Sequence, residues 1–360
     1  MSGSRPFTAL SQGSETLNTP SWLRRPRLPS WLMTAVKIAI SLILLIILFN
    51  HVDVGEMIGA LNIDLIPALL FGSLLLMVQS VAIGYRWHAL LNELGHNTTM
   101  RWAMGRSFIG TFFNQCLPSS IGGDGYRVIM ARRRGLEWQN AVSSVLVERY
   151  TGIVCLFIIA TLGLIPLALA LTETTLIWLF VVVIGGGLIG TFMVAGLAEV
   201  AAVRRVPGLI RKLLNAWIVG RVLADMRRVI RSRRLLLILG VSGLISNTAT
   251  AIVVWLFGLS LGVELGFGPY LSIMSLAVLA TVIPLSLAGW GIREGVIVLL
   301  LGAVGVAEAE ALVMSLAFGL ALLLSSIPGG ILLWRSVGGD REAMHEAIEP
   351  ADQAGQKAEP

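Results

Sequence analysis

Leu117-Pro118-Ser119-Ser120-Ile121-Gly122-Gly123-Asp124-Gly125-Tyr126-Arg127 interrupts an apolar stretch with a proline, glycines and charges. A related run, Ile283-Pro284-Leu285-Ser286-Leu287-Ala288-Gly289-Trp290-Gly291-Ile292-Arg293, lies in the second half of the chain. Aligned without a gap, the two share Pro118 with Pro284, Ser120 with Ser286, Gly123 with Gly289, Gly125 with Gly291 and Arg127 with Arg293. The shared residues are those that break a helix or charge it. Chance in an apolar chain would match Leu and Ala instead. The pair reads as an internal repeat.

Composition sets the class. Of 360 residues, 56% are hydrophobic and 13% charged, and the mean hydropathy is +0.82. Soluble domains carry about 25% charged residues, so this is an integral membrane chain. Apolar runs of spanning length recur along it. The two cysteines (Cys116, Cys155) lie in apolar segments and argue for neither a disulfide framework nor a Cys-based metal site. The four histidines are scattered without ligand spacing, so no metal or other cofactor is expected. The net charge of +6 reflects basic residues at segment ends and points to no nucleic acid.

Residues 1–30, rich in Ser, Pro, Thr and Arg, read as a disordered cytoplasmic tail. Residues 31–335 form the membrane domain, and 336–360 a second disordered cytoplasmic tail. Arg24, Arg25 and Arg27 precede the first span, Trp31–Phe49, and place the N-terminus inside. Further spans are expected at Ile63–Gly84, Ala141–Leu171, Thr175–Leu197, Leu235–Leu261 and Ala311–Trp334, with a basic cytoplasmic loop at 199–234. Arg86, Arg101 and Arg106 suit the inside. If Ser107–Ile121 crossed once, Arg127 and Arg132 to Arg134 would be stranded outside. If it turns back at the break, they stay inside. The same turn near Gly289 puts the second segment in from the other face. The fold class is therefore all-α and polytopic, with about six full transmembrane helices and two re-entrant broken segments in an inverted repeat. Irregular backbone at membrane depth needs cover by protein or a water-filled cavity, and carriers build midplane sites from such pairs.

The motif chemistry suits a phosphate. Glycines expose backbone N–H groups, a helix N-terminus favours anions, and arginine presents a planar, permanently charged fork. Candidate substrate-binding residues are Arg127, Arg293, Asn114, Ser120, Gly123, Gly125, Gly289 and Gly291. Asp124, Glu148, Arg149 and Glu294 are candidates for coupling or ion pairing. Each has a plainer reading: snorkelling cation for Arg127, structural pair for Arg293 and Glu294, helix cap for Asp124, freed-carbonyl partner for Asn114. No activated nucleophile, metal cluster or nucleotide loop is visible, so an enzyme is not expected.

Phe112 to Arg127, with Ala141 to Ser144, Val147-Glu148-Arg149 and the Ile283-Pro284 to Gly295 stretch, resembles the lysylphosphatidylglycerol synthase transmembrane-region family. The resemblance covers about Trp31 to Arg335. In long members this region is implied to be a flippase half, preceding a soluble aminoacyl-transferase. Too few residues follow Arg335 here for that second domain, so the resemblance is to the short stand-alone members. It implies flippase-like or scramblase-like movement of an anionic phospholipid or polyprenyl-phosphate-linked lipid across a bacterial inner membrane. The expected partners are membrane lipids and possible separate lipid-modifying enzymes. The alternatives are an ion-coupled solute carrier and a non-transporting partner of such an enzyme.

Overall fold

In the computed structural model, the described residues are 30–51, 54–116, 122–171, 173–200, 219–282 and 289–356. Every regular element among them is helical: α1 Ser30–His51, α2 Val54–Ala60, α3 Leu65–Glu93, α4 Met100–Cys116, α5 Gly122–Arg133, α6 Trp138–Leu162, α7 Leu164–Ala170, α8 Thr174–Val200, α9 Val219–Arg231, α10 Arg233–Ser260, α11 Phe267–Ala280, α12 Ile292–Ala303 and α13 Glu308–Gln356. Five of them (α3, α6, α8, α10, α13) are long and apolar enough to span a membrane. They coincide with five of the six expected spans; the sixth lies within α1, whose apolar part is Ile38–Leu48. The chain is an all-α polytopic membrane protein.

The first motif sits between α4 and α5. α4 ends at Cys116, just ahead of Leu117-Pro118, where proline disfavours helix in the residue before it. The two helices run antiparallel. At the open end Arg134 lies over the Trp102 ring at 4.9 Å. Further in, Arg106 Nη1 donates to the Tyr126 hydroxyl at 2.8 Å. Near the tip Gly123 N donates to Asn114 Oδ1 at 2.8 Å. With 17 and 12 residues, the helices are about 25 and 18 Å long, short of a hydrocarbon core of about 30 Å. The chain therefore returns to the end it came from, as a re-entrant hairpin. Glycine makes the approach possible: a Cβ on Gly123 would lie 1.9 Å from the Gly110 carbonyl oxygen.

α11 and α12 form the second hairpin. Its return starts at Gly289 and Gly291, both at positive φ (85° and 88°), and the N-terminus of α12 is closed by Glu294, whose Oε2 accepts from Gly291 N at 2.7 Å. Ser272 Oγ of α11 donates to the Ala160 carbonyl of α6 at 2.6 Å. α13 covers the first hairpin in the same way, with Gly329 and Gly330 against Phe108 and Phe112.

The halves are inverted copies. α3 and α10 run antiparallel, because Gly72 faces Val253 and Phe257 while Gly243 faces Arg86. The exchange of α3 with α10, α4 with α11, α5 with α12 and α6 with α13 carries the packed helix pairs of one half onto those of the other. The turns repeat too. After α3 and α10 the glycines Gly95 and Gly262 adopt positive φ, and each is followed by the same backbone bonding, His96 N to Leu91 O and Val263 N to Gly258 O. After α5 and α12, Gly135 and Gly305 do likewise, with Leu136 N to Ala131 O and Val306 N to Leu301 O.

These turns correct the register of the repeat. Gly95 to Gly262 is a separation of 167 residues, and Gly135 to Gly305 one of 170. The second tip is longer by three residues, so the ungapped pairing of Arg127 with Arg293 does not hold in space. Arg127 falls in the second turn of α5, and Arg293 in the first turn of α12. A second correction concerns Arg86, expected at the inner membrane surface. α3 continues past Gly84 to Glu93, and Arg86 is buried within it.

The ends differ in charge. Arg101, Arg132, Arg133, Arg134, Arg233, Arg234 and Arg335 gather at the end where the first hairpin opens, whereas Asp64, Glu173, Glu264, Glu308 and Glu310 mark the other. Of the amphipathic stretch expected in the basic loop, Leu209, Leu213, Leu214, Trp217 and Ile218 lie outside the described residues. The following helix, α9, buries Leu223, Met226 and Val229 against neighbouring helices.

Two glycines on either side of Asp124 separate packing from mere composition. Gly123→Ala is expected to lower stability in detergent by about 1–3 kcal/mol through overpacking. Gly125→Ala, where a Cβ meets nothing within 4 Å, is expected to be neutral or to gain up to about 1 kcal/mol of helix propensity. Thermal unfolding followed by fluorescence-detected size exclusion separates the two.

Candidate functional site

Behind the first hairpin, five charged side chains meet. Glu148, on α6, has both oxygens engaged: Oε1 accepts from Arg86 Nη2 at 2.7 Å and Nε at 3.0 Å, and Oε2 accepts from Arg127 Nη1 at 3.1 Å. Arg86, Arg127 and Glu148 are 5%, 2% and 2% exposed. α3, α5 and α6 are thereby tied through one carboxylate. Asp124, in the first turn of α5 where the helix dipole favours an anion, accepts from Arg149 Nη2 at 2.9 Å and lies 3.7 Å from Arg127 Nη1. Arg149 is 44% exposed, so the cluster has one open edge.

A buried charge costs about 2.5–3.5 kcal/mol on insertion scales, and pairing offsets this only when the geometry is complete. Here three arginines face two carboxylates. The surplus shows at Arg127, whose Nε and Nη2 are buried without a hydrogen-bond partner among the described residues. Its guanidinium face instead lies over the Trp87 ring at 4.5 Å, a favourable cation–π contact.

Arg293 is arranged differently. Its Nε and Nη2 both donate to Oε1 of its neighbour Glu294, and its guanidinium lies 5.0 Å from the Trp290 ring and 5.4 Å from that of Phe318. Gly319 of α13 leaves room for it, since a Cβ there would sit 2.7 Å from Arg293 Nη2. Arg127 lies beside Gly110 of α4, which runs antiparallel to α13. The levels of Arg127 and Arg293 on α13 are thus about 14 Å apart. The two arginines do not share a site.

The sequence-predicted residues thus divide. Arg127, Asp124, Glu148 and Arg149 come together. Arg293 and Glu294 form their own pair, with Gly289 and Gly291 shaping the turn before them. Asn114 accepts the Gly123 N–H, one of the donors that a helix start leaves unsatisfied. Gly123 serves the close contact with α4, Gly125 is exposed, and Ser120 lies outside the described residues. Sequence reasoning missed Arg86 and Trp87. The signal was present in Arg86, an arginine seven residues short of the end of a spanning helix, but charge counting assigns such a residue to the surface.

A separate cavity of about 480 Å³ lies between α6, α8, α9 and α10, lined almost wholly by apolar groups such as Val154, Ile158, Phe192 and Leu239. None of the sequence-predicted residues lines it.

Residues 34–329 match the family described as the lysylphosphatidylglycerol synthase TM region. The chain belongs to that family. Among curated proteins, it is similar to a protein named glycosyltransferase AglD from Haloferax volcanii, at 24% identity over 79% of this chain. The match covers 51% of that relative, so the chain spans about half the length of the curated protein it resembles. The family match takes in both hairpins and all the paired charges described above.

Glu148→Gln leaves two buried guanidinium groups without their counter-charge and is expected to cost about 3–5 kcal/mol. Adding Arg86→Met to it should restore part of that loss, because one orphaned charge disappears; a double-mutant cycle on thermal unfolding is expected to give coupling of at least about 1 kcal/mol.

Proposed function

We propose that this protein moves a phosphate-bearing lipid, an anionic phospholipid or a polyprenyl phosphate, between the leaflets of the membrane, as a flippase or scramblase. The observation that carries the reading is the pair of oppositely inserted hairpins with a cationic cluster behind the first, in which Arg127 keeps two buried N–H-bearing nitrogens without a partner among the described residues. Oppositely inserted, broken segments are the scaffold on which carriers expose one site to alternate faces. A phosphate oxygen supplies what Arg127 Nε and Nη2 lack, and the cluster's surplus cation offsets its charge in a medium where water cannot. Arg293, with Nε and Nη2 committed to Glu294, anchors the second tip and meets the head group when that hairpin shifts. Asp124, 15% exposed, is the carboxylate within reach of a coupling proton, whereas Glu148 is enclosed. Membership of the lysylphosphatidylglycerol synthase transmembrane-region family supports lipid as the substrate class.

The same reading places the chain in a bacterial inner membrane with the arginine-rich end in the cytoplasm. In a chain with Cys116→Ser and Cys155→Ser, Arg101→Cys is expected to react with an impermeant thiol reagent only from the cytoplasmic side, and Glu308→Cys only from the other. Labelling of both from one side overturns the inverted placement.

In proteoliposomes holding labelled phosphatidylglycerol or polyprenyl phosphate, wild-type protein is expected to equilibrate the label across the bilayer. Arg127→Gln should slow this by about tenfold or more, the equivalent of at least about 1.4 kcal/mol, with the protein still folded. No protein-dependent movement of either lipid, with or without a proton gradient, would falsify the reading.

A second reading rests on the relative named glycosyltransferase: a membrane unit that presents lipid to a glycosyl-transferring enzyme. Loss of a glycolipid product in cells lacking the protein, with lipid movement by the purified chain absent, selects it.

A further inference from the structure

On the face of α5 turned away from Glu148, a second cationic site is built. A cavity of about 410 Å³ opens at the arginine-rich end between α4, α5 and α13, and its lining includes Trp102, Arg106, Tyr126, Arg133, Arg134 and Ser336. Tyr126 and Arg133 lie on one side of α5, two turns apart, while Arg127 points to the Glu148 side. This cavity is therefore distinct from the cluster described above.

Its electrostatics are one-sided. No Asp or Glu lines it, and among the described residues none of Arg106, Arg133 and Arg134 has a carboxylate within ion-pair distance. Behind the hairpin, by contrast, Arg86, Arg127 and Arg149 are paired with carboxylates. Three like charges around one cavity repel, with Arg106 half-buried and Arg133 and Arg134 exposed at its mouth. Two are held by neutral partners. Arg106 Nη1 donates to the Tyr126 hydroxyl at 2.8 Å, and Arg134 is stacked on Trp102 at 4.9 Å. Neutral anchors fix a guanidinium's position and leave its charge uncompensated, the condition for recognising an anion. Their forks suit a phosphate, which accepts from several arginines at once.

The depth of the cavity points to the source of that phosphate. Next to its Leu333 wall, Trp334 is 79% exposed, and Trp138, at the start of α6 on the same end, is 44% exposed. Exposed tryptophans of this kind mark the interfacial layer where head groups lie. The volume falls within the range of about 300–1,000 Å³ typical of sites for small molecules, so it has room for a head group around its phosphate. The site is also joined to the buried cluster: Trp102 stacks on Trp87 at 5.3 Å, and Trp87 carries Arg127 on its other contact.

We infer that Arg106, Arg133 and Arg134 form a docking site for the phosphate ester of a lipid head group at the arginine-rich end of the first hairpin. Its role as the place where lipid is loaded rests on the translocation reading; its ability to bind phosphate does not.

The test is equilibrium binding to the full-length chain in detergent, with three probes: dioctanoyl phosphatidic acid, dioctanoylglycerol and glycerol 3-phosphate. Phosphatidic acid should bind, and the other two should bind at least about tenfold more weakly. Arg106→Gln, and Arg133→Gln with Arg134→Gln, should each weaken phosphatidic acid by about tenfold or more at unchanged thermal stability. Arg101→Gln, which removes an exposed cation outside the cavity, should not. Glycerol 3-phosphate binding as tightly as the lipid would overturn the lipid assignment in favour of a soluble phosphate. An equal effect of Arg101→Gln, or no effect of the cavity variants, would reduce the site to unspecific surface charge and overturn the inference. Docking is read by binding in detergent and translocation by label movement in proteoliposomes, so phosphatidic acid binding that depends on Arg106, Arg133 and Arg134 without any lipid movement would leave the docking site standing and overturn only the translocation reading.

Discussion

In hydrocarbon, an unpaired backbone N–H or carbonyl has no water to turn to, and a helix that stops part-way across must be covered by protein. Most of the architecture follows from that constraint. Each hairpin is sheathed by a full-length helix from the other half: α13 against α4, and α6 against α11. The sheathing works at backbone distance because the contact positions are glycine. Gly329 faces the Phe108 carbonyl and Gly163 faces the Ser272 backbone, while inside the first hairpin Gly110 faces Gly123. At the first tip, the side chain of Asn114 accepts the hydrogen bond that Gly123 N–H would otherwise lack.

Each hairpin packs both against helices of its own half and against a long helix of the other. The apolar core accordingly runs through both halves, joining Leu76 of α3 to Phe257 of α10, Tyr270 and Ile273 of α11, Ile297 of α12 and Phe318 of α13.

Charge breaks the symmetry that packing imposes. In the first half, Glu148 reaches across from α6 to bind arginines from two other helices, so the ion cluster is also a tertiary tie. In the second half, Arg293 pairs with the next residue, and the tie is made by ring stacking on Trp290 and Phe318. Among the described residues, one half thus carries an excess of cation with unpartnered donors, and the other a neutral, closed pair.

Composition, hydropathy and the distribution of arginine were enough to establish the class, five of the spans and the return of the first hairpin, because these depend on transfer free energies that each residue carries with it. The inverted repeat was legible for the same reason: proline and glycine mark breaks wherever they stand. Membership of the site was only partly legible. Arg127, Asp124, Glu148 and Arg149 could be singled out as charges in apolar surroundings, but Arg86 read as a surface cation. The equivalence of Arg127 and Arg293 looked sound in an ungapped alignment and dissolved once the turns at Gly135 and Gly305 set the register. Which charges pair, and which arginine keeps free donors, depends on helix rotation and on a three-residue difference between the tips. Those are properties of packing, decided by how two halves fit around each other, and no single segment encodes them.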